Sequence, residues 1–273
     1  MGELIGGDDG LPVEDVGPWA KTKHEYLCRY IEMSRATRKK FIGPTNAGSV
    51  YIDPFCGPGR VFVRRGEYAE GSCVAAWNAS VRGGSPFSKI LIADLDEERL
   101  RYAEERLRRL NAPVVSFHGP ATDTMLPMLK QADRYGLHFA FIDPYNLGAL
   151  DFSIFQLLSK FRRMDIMVHL SKMDLQRNLD RNMSQALDAF ERFAPGWRHA
   201  VSFDQAQKGI RTEIVEHWCR LLTQLGTEAS PNMRLLTGDK DQHLYWLTLI
   251  ARHDLAHKFW NTASNPEGQG NLF

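Results

Sequence analysis

The sequence is 273 residues long, carries 34 lysines and arginines against 33 aspartates and glutamates for a net charge of +1, and is 43% hydrophobic and 25% charged. These are the proportions of a soluble globular protein, one large domain or one domain with an elaboration. The balance of charge argues against a dedicated non-specific nucleic-acid binder and leaves room for an enzyme with a local basic cleft.

No stretch approaches the roughly 18 apolar residues of a membrane span, since the most apolar run, residues 244–251, ends within about eight. The first 16 residues are acidic and glycine-rich, unlike a secretory signal, and they are expected to fray, as is the closing Asn265-Pro-Glu-Gly-Gln-Gly-Asn-Leu-Phe273. Cys28, Cys56, Cys73 and Cys219 form no CxxC pair, so a reduced, cytoplasmic, metal-free protein is expected.

In chain order, Trp19-Ala-Lys-Thr-Lys23-His24-Glu-Tyr26-Leu27 predicts an amphipathic helix within an N-terminal helical segment, residues 1–48. Its aromatics suit packing against a sheet, and Lys23 and His24 are candidate substrate contacts. Basic residues cluster at Arg35, Arg38, Lys39 and Lys40, and again at Arg60, Arg64 and Arg65, where phosphate contact is the functional reading. Five nearly continuous apolar strands follow: Ser49-Val-Tyr-Ile-Asp53, Lys89-Ile-Leu-Ile-Ala-Asp94, Pro113-Val-Val-Ser-Phe117, His138-Phe-Ala-Phe-Ile-Asp143 and Asp165-Ile-Met-Val-His-Leu170. Such strands are expected when helices cover both faces of a parallel sheet. Helical periodicity fills the gaps, most clearly in Leu100, Ala103, Leu107 and Leu110. Residues 49–171 therefore read as a doubly wound α/β core, and 172–231, longer than a crossover needs, as a helical elaboration. Met233-Arg-Leu-Leu-Thr237 and residues 244–251, joined by a turn-rich segment, predict an antiparallel hairpin, so that residues 232–260 complete the core and 261–273 form a disordered tail. A mostly parallel seven-stranded sheet ending in such a hairpin is the Rossmann-like arrangement of class I S-adenosylmethionine (SAM)-dependent methyltransferases.

The candidate cofactor site is Tyr51-Ile-Asp53-Pro-Phe55-Cys-Gly57-Pro-Gly59-Arg60, a strand running into a loop whose glycines let the backbone approach a ligand. Asp53 is placed to pair with the SAM ammonium, Asp94 to accept the ribose hydroxyls, and Asp123 to meet the adenine amino group. A nicotinamide dinucleotide is the weaker reading, because Phe62 stands at the third glycine position of that fingerprint. Asp143, Pro144 and Tyr145 close the fourth strand with the chemistry of amino-group methyltransferases: a carboxylate and a carbonyl to hold a planar NH2, and a ring to stack on a base. Only one proline precedes Tyr145, where amino-methyltransferases of DNA and RNA carry two. The histidines show no metal-ligand spacing, and no metal is expected.

Taken together, Trp19, Lys23-His24, Tyr30, the 51–59 loop, Gly71-Ser72, Ile92-Ala-Asp94, Phe141-Ile-Asp-Pro-Tyr145 and His253-Asp-Leu-Ala-His-Lys-Phe-Trp260 resemble the three-Cys-motif partner family (TcmP) of bacterial and phage proteins. The likeness spans about residues 19–260; Cys56 stands where the family usually has a small residue, and Asp94 where it often has Glu. It implies a class I SAM-methyltransferase-like fold and association with a separate, radical-SAM-like protein bearing a three-cysteine cluster, in DNA repair or mobile-element settings. The expected function is methylation of an amino group in a nucleic acid or nucleotide. The alternative is a non-catalytic or regulatory partner that uses the fold as a scaffold, with residues 172–231 covering either the substrate or the partner.

Overall fold

The computed structural model describes residues 2–64, 66–238 and 242–265. The chain opens with two strands, β1 (Leu4–Ile5) and β2 (Val13–Val16), before the helices α1 (Trp19–Met33) and α2 (Arg35–Lys39). The opening residues are thus ordered, against the expectation of a frayed, purely helical start. Strand β3 (Ser49–Asp53) begins the main sheet. The polar stretch after the glycine loop is a hairpin of β4 (Arg60–Val63) and β5 (Glu67–Glu70). Strand β2 lies parallel to β4, pairing Glu14 with Val61, so β1, β2, β4 and β5 make a small second sheet over the first loop.

The core then alternates as predicted: α3 (Ser72–Arg82), β6 (Lys89–Asp94), α4 (Glu97–Arg109), β7 (Val114–His118), α5 (Ala121–Leu129), β8 (Leu137–Ile142), α6 (Phe152–Leu158) and β9 (Met164–Ser171). Helix α4 starts at Asp96, whose carboxylate accepts from the Glu98 and Arg99 amides. The insertion carries α7 (Lys172–Arg177), α8 (Leu179–Met183), α9 (Ala189–Phe193), α10 (Trp197–Ala200) and the long α11 (Gln207–Gln224). It returns through β10 (Glu228–Ala229), β11 (Arg234–Thr237), β12 (His243–Ala251) and α12 (Asp254–Ala263).

Across the main sheet the order is β7-β6-β3-β8-β9-β12, with β10 and β11 both pairing the outer edge of β12. The first five strands are parallel and β12 is antiparallel to β9. Seven positions are therefore filled by eight strands, because the outer strand of the predicted hairpin is split in two. This is the doubly wound, Rossmann-like arrangement of the class I methyltransferases. Part of the predicted turn, residues 239–241, lies outside the described residues, as do Arg65 and residues 266–273; α12 runs three residues into the stretch read as a tail.

Side chains alternate between two cores. Val50, Ile52, Ala140 and Ile166 face α5, α6 and α11, whereas Tyr51, Ile90, Phe139 and Met167 face α1, α3, α4 and α12. Sequence order reverses between β3 and β8, and in such sheets that switch point opens a crevice at the carboxyl ends of the strands. Asp53, Asp94 and Asp143 stand at or just past those ends. Among the described residues no helix is long and apolar enough to cross a membrane.

Candidate active site

The glycines of the first loop have separate jobs. Gly57 and Gly59 adopt φ of +56° and +79°, the left-handed region that favours glycine. Gly59 also touches Gly71: its carbonyl accepts the Gly71 amide at 2.8 Å, and a Cβ on Gly71 would stand 2.6 Å from the Gly59 carbonyl carbon. This contact ties the loop to the start of α3. Because the loop feeds β4, with Phe62 inside that strand, it does not run directly into a helix as a dinucleotide fingerprint requires.

The three predicted cofactor acids diverge. Asp53 is fully buried; its Oδ2 accepts from the Ser72 hydroxyl at 2.6 Å and the Tyr51 hydroxyl at 3.0 Å, and its Oδ1 from the Phe55 amide at 3.2 Å. Burial pushes its carboxyl up to about 7, with Asp143 adding to the rise. Asp53 therefore braces the loop and does not line either cavity, a placement that does not support the predicted pairing with the SAM ammonium. Asp94 caps the glycine loop, accepting the Gly57 amide at 2.9 Å and the Asp96 amide at 2.9 Å, and it does line a cavity. Asp123 is exposed in the first turn of α5, outside the cavity linings, because Pro120 starts the helix and leaves Ala121 and Thr122 on the wall instead. Its adenine role is not supported by this placement.

At the end of β8, Asp143 is held by a lysine and a histidine from distant elements. Lys23 reaches it from α1 in an ion pair with Oδ2, and His169 Nδ1 on β9 stands 2.8 Å from Oδ1. Burial alone would raise this carboxyl, but Lys23 and His169 outweigh it and hold it below the usual carboxylate range. Asp143 is therefore a permanent anion, able to accept hydrogen bonds and not to donate them. Burial lowers the affinity of His169 for its second proton, against the pull of Asp143. His24, on the same cavity wall, is driven down to about 3 by burial, with adjacent Lys23 adding to the fall. His169 is a site residue that sequence reasoning set aside, and its one signal was a histidine in an otherwise apolar strand.

Two cavities meet here, sharing Phe55 and Tyr145. The smaller, about 270 Å³, has Asp94, Leu95, Pro120 and Thr122 on its wall. The larger, about 720 Å³, holds Gly57, Lys23, Asp143, Pro144 and His169, with Trp19 and Tyr245 beside them. Tyr245 packs on His169 at 4.1 Å between ring centroids. A separate cavity of about 510 Å³ opens at the opposite ends of the strands, beside Leu137, Met164 and Asp165, away from these groups.

The predicted basic contacts are mostly spent elsewhere. Arg60 forms two 2.6 Å hydrogen bonds to Asp8, so this predicted substrate contact is a structural pair outside both linings. Arg64 lines the larger cavity but pairs with Asp15 at 3.1 Å. Arg38 is buried, donating to the carbonyls of Ser85 and Ile31 and stacking over Phe87. Lys23, His24 and, unforeseen, Arg177 of α7 are the basic residues on the larger cavity's wall besides Arg64 and His169.

No protein-family model matches the sequence, and no curated protein is significantly similar to it. Solved structures with a similar course include Trm1 from Pyrococcus horikoshii with S-adenosyl-L-methionine, 12% identical over 87% of this chain with a TM-score of 0.47; the alignment spans 57% of that protein. An O-methyltransferase from Bacillus cereus in complex with SAH is 15% identical, with 89% of this chain and 85% of that one covered and a TM-score of 0.48. LPL1258 from Legionella pneumophila is 12% identical, covering 91% and 94%, with a TM-score of 0.48.

Proposed function

We propose that the protein is a SAM-dependent methyltransferase acting on an amino group of a nucleobase, in a nucleic acid or a nucleotide. The observation that carries this reading is the junction of the two cavities at Tyr145 and Phe55, with the Asp94 carboxylate on one side and the ionised Asp143 carboxylate on the other. The site fits the cofactor: Gly57 turns a face without a side chain to the larger cavity, and Asp94 keeps lone pairs free beside its two amide donors. The combined volume lies within the range of about 300–1,000 Å³ usual for small-ligand sites.

When bound there, SAM would supply an electrophilic methyl group. Asp94 would hold the ribose, and the walls at Leu95 and Thr122 would flank the adenine. Asp143, fixed as an acceptor by Lys23 and His169, and the Pro144 carbonyl would take hydrogen bonds from a planar NH2, leaving its lone pair free to attack. Tyr145, with Trp19 and Tyr245 on the same wall, would stack on the base. His169 is the neutral base in that wall suited to take the proton released after transfer. Catalysis is then chiefly positioning.

Titration calorimetry tests this. SAM should bind the wild type, and Asp94→Ala should weaken binding at least about tenfold, the scale of lost charge-assisted hydrogen bonds. No binding by the wild type would end the reading. One observation favours a second reading, the regulatory partner of a three-cysteine radical-SAM-like protein: both Asp143 oxygens are already engaged. On that reading Asp143→Ala leaves biological activity intact.

A further inference from the structure

We propose that Glu14, from the N-terminal strand β2, is the carboxylate that receives the methionine ammonium of the cofactor. This rests on the SAM reading above. Asp53 has both oxygens enclosed by Tyr51, Ser72 and the Phe55 amide, so the cofactor loop itself presents no acid to the larger cavity. Glu14 lines that cavity beside Gly57 and Ser72. A Cβ built on Gly57 would meet one atom within 4 Å, Glu14 Oε2 at 3.6 Å, so this oxygen overhangs the point where the glycine lets a ligand approach.

Strand register fixes that position. Because β4 leaves the glycine loop directly and β2 pairs with it in parallel, Glu14 opposite Val61 is carried back over the loop. The carboxylate is also braced: Oε1 accepts the Gly2 amide at 2.6 Å, and Oε2 faces Arg99 Nη1 at 3.0 Å. Each oxygen of an ionised carboxylate has two lone pairs, so one on each remains for a second donor. A primary ammonium, with three donors and a full charge, is a ligand group that such a half-satisfied anion suits. Asp15, the next residue, also lines the cavity, with Oδ2 paired to Arg64 and a buried Oδ1 that has no partner, so it is the rival carboxylate that the experiment must separate from Glu14, the acid over Gly57.

The experiment compares two ligands on the full chain by titration calorimetry: S-adenosylhomocysteine, which has the amino-acid tail, and 5′-methylthioadenosine, which lacks it. Glu14→Gln removes the charge and keeps one acceptor oxygen, enough for the Gly2 amide or for Arg99 but not both, and 5′-methylthioadenosine controls for any disturbance this causes in the strand. The substitution should weaken S-adenosylhomocysteine about tenfold or more and leave 5′-methylthioadenosine unchanged. Glu14→Asp should retain part of the discrimination, and Asp15→Asn all of it. Equal loss of both ligands in Glu14→Gln, no loss of either, or loss of discrimination in Asp15→Asn instead overturns the assignment. If the wild type binds neither ligand, the SAM reading fails and this assignment with it; if it binds both and Glu14→Gln matches it, only the assignment fails.

Discussion

Two additions flank the α/β core, and they are held by opposite means. The N-terminal strands are fastened by charge: Asp8 to Arg60, Asp9 to Arg106, Glu14 to Arg99 and Asp15 to Arg64. The insertion between β9 and β10 is fastened by aromatic burial. Trp218 of α11 stacks on Phe193 of α9 at 5.4 Å and meets Phe155 of α6 edge-on at 5.5 Å, while Phe190 meets Trp197 at 5.7 Å, all of them buried. Buried rings give an attachment insensitive to salt and pH, whereas the more exposed pairs of the strap, Asp8–Arg60 and Asp15–Arg64, respond to both.

The largest expected effect lies on the aromatic side. Trp218→Ala should cost about 3–5 kcal/mol of unfolding free energy, by loss of buried ring and creation of a cavity, and the cost in urea titrations should be the same at low and high salt. A loss under 1 kcal/mol, or one that salt removes, would erase the contrast. Next comes the strap's ion pair between Arg106 and Asp9. Arg106 also donates to the carbonyls of Pro58 and Leu11, so Arg106→Ala leaves several acceptors unpaired. We expect a cost of about 2–3 kcal/mol, with amide exchange accelerating at β1 and β2 before the insertion. Uniform acceleration would show that the strap is not a separate unit.

The smallest effect is a pH dependence. The Arg106 guanidinium beside Asp9 lowers its carboxyl from 3.8 to about 2. A depressed folded-state value gives stabilisation that is complete above about pH 4 and fades as the pH falls toward 2. After screening by solvent this is about 1 kcal/mol, visible as faster amide exchange in β2 at pH 2.5 than at pH 5 relative to α11. Equal relative exchange at the two pH values would mean that Asp9 carries none of the docking.

The same contrast explains what could be read from the sequence. The core strands were legible because two-sided burial leaves continuous apolar runs such as Lys89-Ile-Leu-Ile-Ala-Asp94, and Asp94 and Asp143 because acids at strand ends are conspicuous. The strap was not, because Gly6-Gly7-Asp8-Asp9-Gly10 has the composition of a frayed end and its partners are arginines up to about a hundred positions away. Two of those arginines, Arg60 and Arg64, looked like phosphate contacts for that reason. The bracing role of Asp53 was not legible, since its hydroxyl partners, Tyr51 and Ser72, converge only in three dimensions. His169 shows the same limit: nothing local marks it as the neighbour of Asp143.

The position of β12 has a consequence for how the chain is made. Among the described residues it is the last strand in chain order, yet it sits between β9 and the pair β10 and β11, all of which emerge earlier from the ribosome. Until it arrives, β9 presents an open edge of backbone donors and acceptors, and β10 and β11 have no strand to join. Truncation before residue 243 would therefore remove a seam from the interior of the sheet, exposing an edge prone to self-association.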